Sequence, residues 1–191
     1  KGIPLIIDNT ASPVICKPLA HGAAIVMHSL TKYIGGHGTS IGGIIVDGGN
    51  FDWIKDRKRQ PLLNEPDQSY GGAVWADAVP QLTGANIPFV IRLRVVLLRD
   101  LGAPLSPFNA FQIIQGLETV GLRMKQHCSN AEKVVSFLET QKKVTNVIYP
   151  TNHQGEIKER AKKYMQGGYG SLVGMDVGTK ENGAKFIDNL K

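Results

Sequence analysis

Three short apolar runs near the start of the chain constrain its fold more than any other feature. Residues 3–7, 23–27 and 41–46 are almost wholly apolar, and polar or glycine-rich segments separate them. Unbroken apolar runs of this length are typical of strands that are buried on both faces of a sheet. The sequence therefore predicts an α/β fold built around a mostly parallel sheet.

Polar side chains follow the first two of these runs. Asp8 comes directly after the first run. Ser29, Thr31 and Lys32 come just after the second. In parallel sheets, ligands bind in the crevice beyond the carboxyl ends of the strands. We therefore expect these four side chains to surround one binding site.

The second half of the chain predicts a long helix and a smaller α/β domain. Ser106 and Pro107 suit a helix start, and apolar residues recur at helical spacing over 111–138. Gly116 and Gly121 would weaken this helix locally or allow a close contact. Four further elements are expected: strands at 144–149 and 171–177, a polar helix at 156–164, and an amphipathic helix from Lys180.

Composition limits the class of protein. The formal net charge is +6, but the basic residues are dispersed apart from a cluster at 55–59, which we interpret as a solvated helix face. No nucleic-acid partner is therefore expected. No apolar run reaches the roughly 18–20 residues of a membrane span, so no membrane-spanning segment is expected. Two cysteines predict neither a disulfide framework nor a metal site, and favour a reducing, cytoplasmic setting.

The segment 28–38, His-Ser-Leu-Thr-Lys-Tyr-Ile-Gly-Gly-His-Gly, carries the strongest chemical signal. Ser29 and Thr31 place two hydroxyls close to Lys32, at the end of a predicted strand. Hydroxyls and backbone N–H groups at such a turn can bind a phosphate. The order of lysine and glycines excludes a Walker loop. We expect His28 and His37 to form core or loop hydrogen bonds.

Asp8 has two interpretations. A carboxylate at the end of a buried strand is destabilising unless it is paired. It could cap the following turn, or it could pair with a cationic ring nitrogen. An aspartate on a pyridinium nitrogen and a lysine on an aldehyde carbon are the two groups that pyridoxal phosphate requires.

These segments resemble a known family. Ile-Asp-Asn-Thr at 7–10 and the run over 26–43 resemble the Cys/Met-metabolism family of fold-type I pyridoxal-phosphate enzymes. Within that family the chain is most similar to the O-acetylhomoserine sulfhydrylase branch. The segments that carry this closer similarity are 46–53, 97–102, 105–111 and 115–119.

The resemblance implies a domain organisation and site roles. Residues 1–120 would be the C-terminal part of the cofactor-binding large domain, and 121–191 the N-terminal part of the small domain. Lys32 would hold the cofactor as a Schiff base, and Asp8 would pair with the pyridine nitrogen. Ser29 and Thr31 would hold the phosphate.

The resemblance also implies an activity: replacement of the γ-substituent of O-acetylhomoserine by sulfide or a small thiol, giving homocysteine and acetate. Partners would be an amino-acid substrate, sulfide and further copies of the chain in a homotetramer, a dimer of dimers. Alternatives within the family are cystathionine γ-synthase, O-succinylhomoserine sulfhydrylase and methionine γ-lyase. A catalytically inert assembly subunit is the alternative outside enzymes.

Two departures from the family pattern bear on these expectations. The loop after Thr10 is one residue short, because Ala11-Ser12-Pro13 follows at once. The chain begins without Met and ends at Lys191, and both ends are expected to be internal cuts. The arginine that binds the substrate carboxylate and the aromatic residue that stacks on the ring would then lie outside it. We therefore expect the 191-residue chain alone to be inactive.

Overall fold

The computed structural model describes residues 2–190, which form two compact units. One unit comprises 2–10 and 18–117, and the other comprises 11–17 and 118–190. The domain boundary predicted after residue 120 stays a prediction.

The first unit contains a three-stranded sheet of order β1-β2-β3, with β1 at Ile6–Asp8, β2 at Ile25–Ser29 and β3 at Gly43–Asp47. β1 and β2 are parallel, whereas β3 runs antiparallel to β2. All three strands lie where the apolar runs predicted them. The two parallel strands therefore end at the same edge of the sheet, and β3 starts there.

Burial of the strands differs from the expectation. In β2, Ile25 and Val26 are almost fully buried, but Ile6 of β1 is 48% exposed. Ile44 of β3 is 45% exposed. The prediction that all three strands are buried on both faces is thus wrong for the described chain. β1 and β3 are edge strands there, so each has a strand neighbour on one side only.

Short helices and turns complete the first unit. Three 3₁₀ turns lie at Pro18–His21, Arg57–Arg59 and Gln68–Tyr70, and a π-helical turn lies at Leu30–Ile34. The helices are α1 at Pro61–Asn64, α2 at Trp75–Thr83 and α3 at Pro88–Arg92. A π-helix at Leu93–Asp100 continues α3. Trp53 stacks on Phe89 with ring centroids 5.6 Å apart. Trp75 donates its indole N–H to Asp67 at 2.9 Å. Both tryptophans thus contribute to a hydrophobic core.

The predicted long helix is α4, Pro107–Glu139, with 33 residues. Its buried side chains recur every three, four or seven residues and are Ile113, Val120, Met124, Cys128, Ala131 and Val135. The predicted stripe is thus confirmed as a packing face from Met124 to Val135. It is wrong at its start, because Phe111, Ile114 and Leu117 are 50–57% exposed.

The second unit has a two-stranded antiparallel sheet of β4, Asn146–Ile148, and β5, Gly174–Asp176. A 3₁₀ turn lies at Pro150–Asn152, and the helices are α5, Gly155–Tyr164, and α6, Lys180–Asp188. Tyr149 is 1% exposed and donates its hydroxyl to the Gly170 carbonyl at 2.9 Å. Burial raises the pKa of Tyr149 to about 12.

Within residues 2–190, no single helix is both long enough and apolar enough to cross a membrane. One pair, α2 with the segment Pro88–Asp100, satisfies these two criteria jointly, but is bent by 101°.

Candidate functional site

Two parallel strand ends bring the predicted site residues to one edge of the sheet. Asp8 is the last residue of β1, and Ser29 is the last residue of β2. Asp8 lies opposite Met27 in the strand register. The helical turn Leu30–Ile34 begins directly after Ser29 and carries Thr31 and Lys32. The topology thus places the four residues at strand ends on the same side of the sheet, and their grouping around one binding site stays a prediction.

Thr10 joins the two strand ends. Its backbone N–H donates to Asp8 Oδ1 at 3.0 Å, and its Oγ1 accepts from the Ser29 N–H at 2.7 Å. The Asp8 carboxylate is therefore fixed relative to the start of the lysine-bearing turn. Thr10 was not among the predicted site residues, although an aspartate side chain commonly accepts from the backbone N–H two residues later.

The Asp8 carboxylate is held in its charged form. Hydrogen bonds from the hydroxyl and then the backbone of Thr10 lower the pKa of Asp8, and the nearby His28 ring adds to the effect. The side chain is also exposed. Asp8 thus caps the turn and also presents a negative charge to solvent. The two interpretations offered by the sequence are compatible, because capping is what keeps the carboxylate ionised.

His28 lies half-buried beside this carboxylate. Burial lowers the pKa of His28, against the opposing effects of the Asp8 charge and a hydrogen bond with the Asn9 backbone. Its Nδ1 atom is buried and has no hydrogen-bond partner within the described residues. His37 lies in the loop and its Nδ1 is 2.7 Å from the Gly35 carbonyl oxygen. His37 therefore makes the local backbone contact that the sequence predicted, whereas the Nδ1 atom of His28 does not.

The turn that carries Lys32 has buried ends and an exposed middle. Leu30 and Ile34 are each 9% exposed, whereas the Lys32 side chain is exposed. Lys32 has φ −91° and ψ −126°, which departs from helical geometry. The Gly35 N–H donates to the Leu30 carbonyl at 2.9 Å, and the Gly36 N–H donates to the Lys32 carbonyl at 2.8 Å. The packed ends thus hold the turn while the amine faces outward.

Thr31 connects the turn to Gly42, the residue just before β3. Its Oγ1 accepts from the Gly42 N–H at 3.1 Å, and the Leu30 N–H donates to the Gly42 carbonyl at 2.9 Å. Ser29 donates its backbone N–H to Thr10 Oγ1, and the Ser29 hydroxyl takes no part in that hydrogen bond. The two predicted phosphate-binding hydroxyls therefore differ, because only that of Thr31 also holds the backbone together.

These residues fit pyridoxal phosphate by their chemistry. An exposed amine at Lys32 suits the aldehyde, and an ionised carboxylate at Asp8 suits a cationic ring nitrogen. Ser29 and Thr31 supply hydroxyl groups for a phosphate. Among the described residues, no group of three or more His, Cys, Asp or Glu side chains could hold a metal ion.

The loop after Thr10 contains a strained residue. Val14 has φ 60°, and it is the only non-glycine residue with positive φ in the described part of the chain. A β-branched residue in this region is strained, by on the order of 1–3 kcal/mol. The strain falls next to residues 11–13, where the sequence predicted a shortened loop.

Comparison with known proteins gives a consistent result. The model of the family "Cys/Met metabolism PLP-dependent enzyme" matches residues 1–191. The chain is 48% identical over 196 residues to the O-acetyl-L-homoserine sulfhydrylase of Leptospira meyeri, covering 100% of the chain and 44% of that protein. It is 42% identical over 193 residues to the homocysteine synthase of Schizosaccharomyces pombe, again covering 100% and 44%. The chain thus spans less than half the length of these relatives.

Solved structures agree with these relatives. A structure from Campylobacter jejuni, described as an O-acetylhomoserine (thiol)-lyase, is similar with a TM-score of 0.84 and 35% identity. The similarity covers 100% of this chain and 46% of that one, which contains a pyridoxyl-lysine monophosphate. The cystathionine γ-lyase of Lactobacillus plantarum gives a TM-score of 0.69 at 27% identity, covering 99% and 40%. These likenesses confirm the predicted fold class.

Proposed function

The chain belongs to the Cys/Met metabolism family of pyridoxal-phosphate-dependent enzymes, and from this premise we propose that the protein makes homocysteine from O-acetylhomoserine and sulfide. Acetate is the leaving group, and a small thiol could replace sulfide. The observation that carries the proposal is the shared sheet edge, where Thr10 joins Asp8 to Ser29, three residues before Lys32. The names of the relatives support the choice of substrate.

When bound, pyridoxal phosphate supplies an aldehyde that binds amines covalently and a ring that withdraws electrons. Asp8 would hold a proton on the ring nitrogen, because its carboxylate stays ionised. Ser29 and Thr31 would donate hydroxyl hydrogens to the phosphate. Lys32 would hold the aldehyde through Nζ, and the same atom, once free, would be the base for the Cα proton of the substrate.

Covalent labelling tests the anchor. We would treat the natural-length protein, loaded with pyridoxal 5′-phosphate, with borohydride and map its peptides. The expected result is one pyridoxyl adduct, on Lys32. Lys55→Ala, which removes another exposed lysine, should leave the adduct in place. An adduct on a different lysine, or none, would refute the assignment and favour an inert assembly subunit.

Sister activities remain the second candidate, since a cystathionine γ-lyase structure also matches nearly the whole chain. Cystathionine γ-synthase, O-succinylhomoserine sulfhydrylase and methionine γ-lyase would use the same lysine and aspartate. Acetate release from O-acetylhomoserine separates them from the main proposal. We expect release to depend on sulfide; turnover of O-succinylhomoserine or methionine in preference would favour a sister enzyme.

The proposal extends to assembly and setting. We propose a cytoplasmic homotetramer, in which neighbouring copies complete the site. The 191-residue chain by itself should then bind the cofactor without turning over substrate. Sedimentation would give the oligomeric state of that chain, and an assay its activity. Full turnover by a chain that sediments as a monomer would contradict this part of the proposal.

A further inference from the structure

Helix α4 lies directly against the turn that carries Lys32, and Gly116 is the point of closest approach. A Cβ atom at position 116 would overlap the Gly35 carbonyl oxygen. It would also lie 2.7 Å from the Gly35 carbonyl carbon and 2.8 Å from the Ile34 carbonyl oxygen. These are backbone atoms, which cannot rotate out of the way, so a side chain at position 116 must displace the turn or the helix.

The backbone that would move is the part that fixes Lys32. The Gly35 N–H bonds to Leu30, at the start of the turn, and the next N–H, that of Gly36, bonds to the Lys32 carbonyl. A shift of Gly35 would therefore pull on both hydrogen bonds that close the turn. Contact at position 116 is thus transmitted to Lys32 over a few covalent bonds.

The preceding turn of α4 contacts the other anchor. The Cδ1 atom of Ile113 would lie 2.8 Å from a Cβ at Gly42, and its Cγ1 3.8 Å from one at Gly35. Gly42 holds both Leu30 and Thr31 by hydrogen bonds. One face of α4 therefore abuts both backbone segments that hold the lysine-bearing turn.

We infer that Gly116 is a positioning residue for Lys32: its lack of a side chain lets α4 seat the turn so that Nζ points at the cofactor aldehyde. This inference rests on the proposed function. Gly121 lies on the same helix, five residues later, but a Cβ there would meet no atom within 4 Å. The two glycines therefore differ in environment, and Gly121 provides a matched control.

The test compares Gly116→Ala with Gly121→Ala in the natural-length protein loaded with pyridoxal 5′-phosphate. We would measure the visible band of the lysine-bound cofactor, the pH at which this band titrates, and kcat and KM separately. Gly116→Ala should shift the titration and lower kcat by on the order of a hundredfold, because small misplacements of reacting groups have effects of this size. Gly121→Ala should match the unmodified protein in every measurement.

Identical titration and kcat in the two alanine variants would overturn the inference while leaving the proposed function intact. A lack of any lysine-bound band in the unmodified protein would overturn both. If Gly116→Ala fails to fold, Ile113→Ala removes the neighbouring contact without adding atoms, with exposed Ile114→Ala as its control. An unchanged titration in Ile113→Ala would then overturn the inference, and a shifted one would support it.

Discussion

Two aspartates end strands of the same sheet and form the same local turn. Asp8 accepts a hydrogen bond from the backbone N–H of Thr10 at 3.0 Å, and Asp47 accepts one from Gly49 at 3.0 Å. Because β3 is antiparallel, Asp47 pairs with Ile25 at the opposite end of the sheet. Asp47 is half-buried and its Oδ2 lacks a partner within the described residues, whereas Asp8 is exposed.

The comparison teaches that the turn itself does not identify a functional aspartate. Strand direction decides which carboxylate lies beside the lysine-bearing turn. Four predictions test this difference between the two ends of the strands: the site end, at Asp8 and Ser29, and the opposite end, at Asp47.

The largest effect is expected from Lys32→Ala. This change removes both the covalent anchor and the proposed general base, so homocysteine formation should fall by at least on the order of 10²–10⁴-fold. Initial-rate assays of the natural-length protein with O-acetylhomoserine and sulfide measure it. Lys55→Ala serves as control and should keep its activity. Comparable losses in both variants would contradict the role of Lys32.

Asp8→Asn and Asp47→Asn compare the two ends directly. Asp8→Asn removes the charge that we propose holds the ring proton, and we expect activity to fall roughly a hundredfold, as when other preorganised electrostatic groups are lost. Asp47→Asn keeps the same turn geometry at the opposite end and should remain within about twofold, because it removes no such group. The measurement is kcat/KM. Equal losses of kcat/KM in the two variants would contradict the difference between Asp8 and Asp47.

Ser29→Ala and Thr31→Ala should weaken cofactor binding to a similar extent but differ in stability. A hydrogen bond to a charged group contributes about 1.5–3 kcal/mol, so the Kd for pyridoxal phosphate should rise roughly tenfold or more in each. Thr31→Ala also breaks the link to Gly42. Only that variant should therefore unfold at a lower denaturant concentration as apoprotein. Unaltered cofactor affinity in both would exclude the phosphate role.

The smallest effect is expected from Thr10→Val. The pKa of Asp8 is lowered mainly by Thr10, so the carboxylate stays charged at more acidic pH than an ordinary aspartate, whose pKa is near 3.8. The stabilisation is present above that ordinary value and is lost as the pH falls through the lowered pKa.

Thr10→Val should raise the pKa of Asp8, so the loss of bound cofactor on acidification should begin at higher pH. A pH titration of the cofactor band measures this shift. Thr140→Val removes a hydroxyl that donates to the Phe137 carbonyl and accepts from the Gln141 side chain, neither of which is a site residue, and should leave the titration unchanged. A shift to lower pH in Thr10→Val would contradict the role of Thr10.

Much of the fold could be predicted because hydrophobic patterning is a local property. The three apolar runs located β1, β2 and β3, and the stripe over 111–138 located α4. The direction of β3 could not be predicted this way, since an apolar run reads the same in a parallel or an antiparallel pair. The exposure of Ile6 and Ile44 also depends on which layers cover the sheet, which no single segment specifies.

The site shows the same division. The positions of Lys32 and Asp8 at strand ends followed from the sequence. Thr10 was missed because its hydroxyl bonds to Ser29, 19 residues away, and only the parallel pairing brings them together. Gly116 and Gly121 were indistinguishable in the sequence, because their difference depends on which side of α4 faces the lysine-bearing turn.

The hydroxyl of Thr10 has a consequence for how this site could be modified. It accepts from the backbone N–H of Ser29 and donates to the Asp8 carboxylate, so each bond polarises the other. If Asp8 pairs with the ring nitrogen and Ser29 holds the phosphate, as proposed, a change in charge at the nitrogen would be transmitted to the phosphate end through this one oxygen atom. A mutation that alters the basicity of the ring should then also alter the affinity for the phosphate.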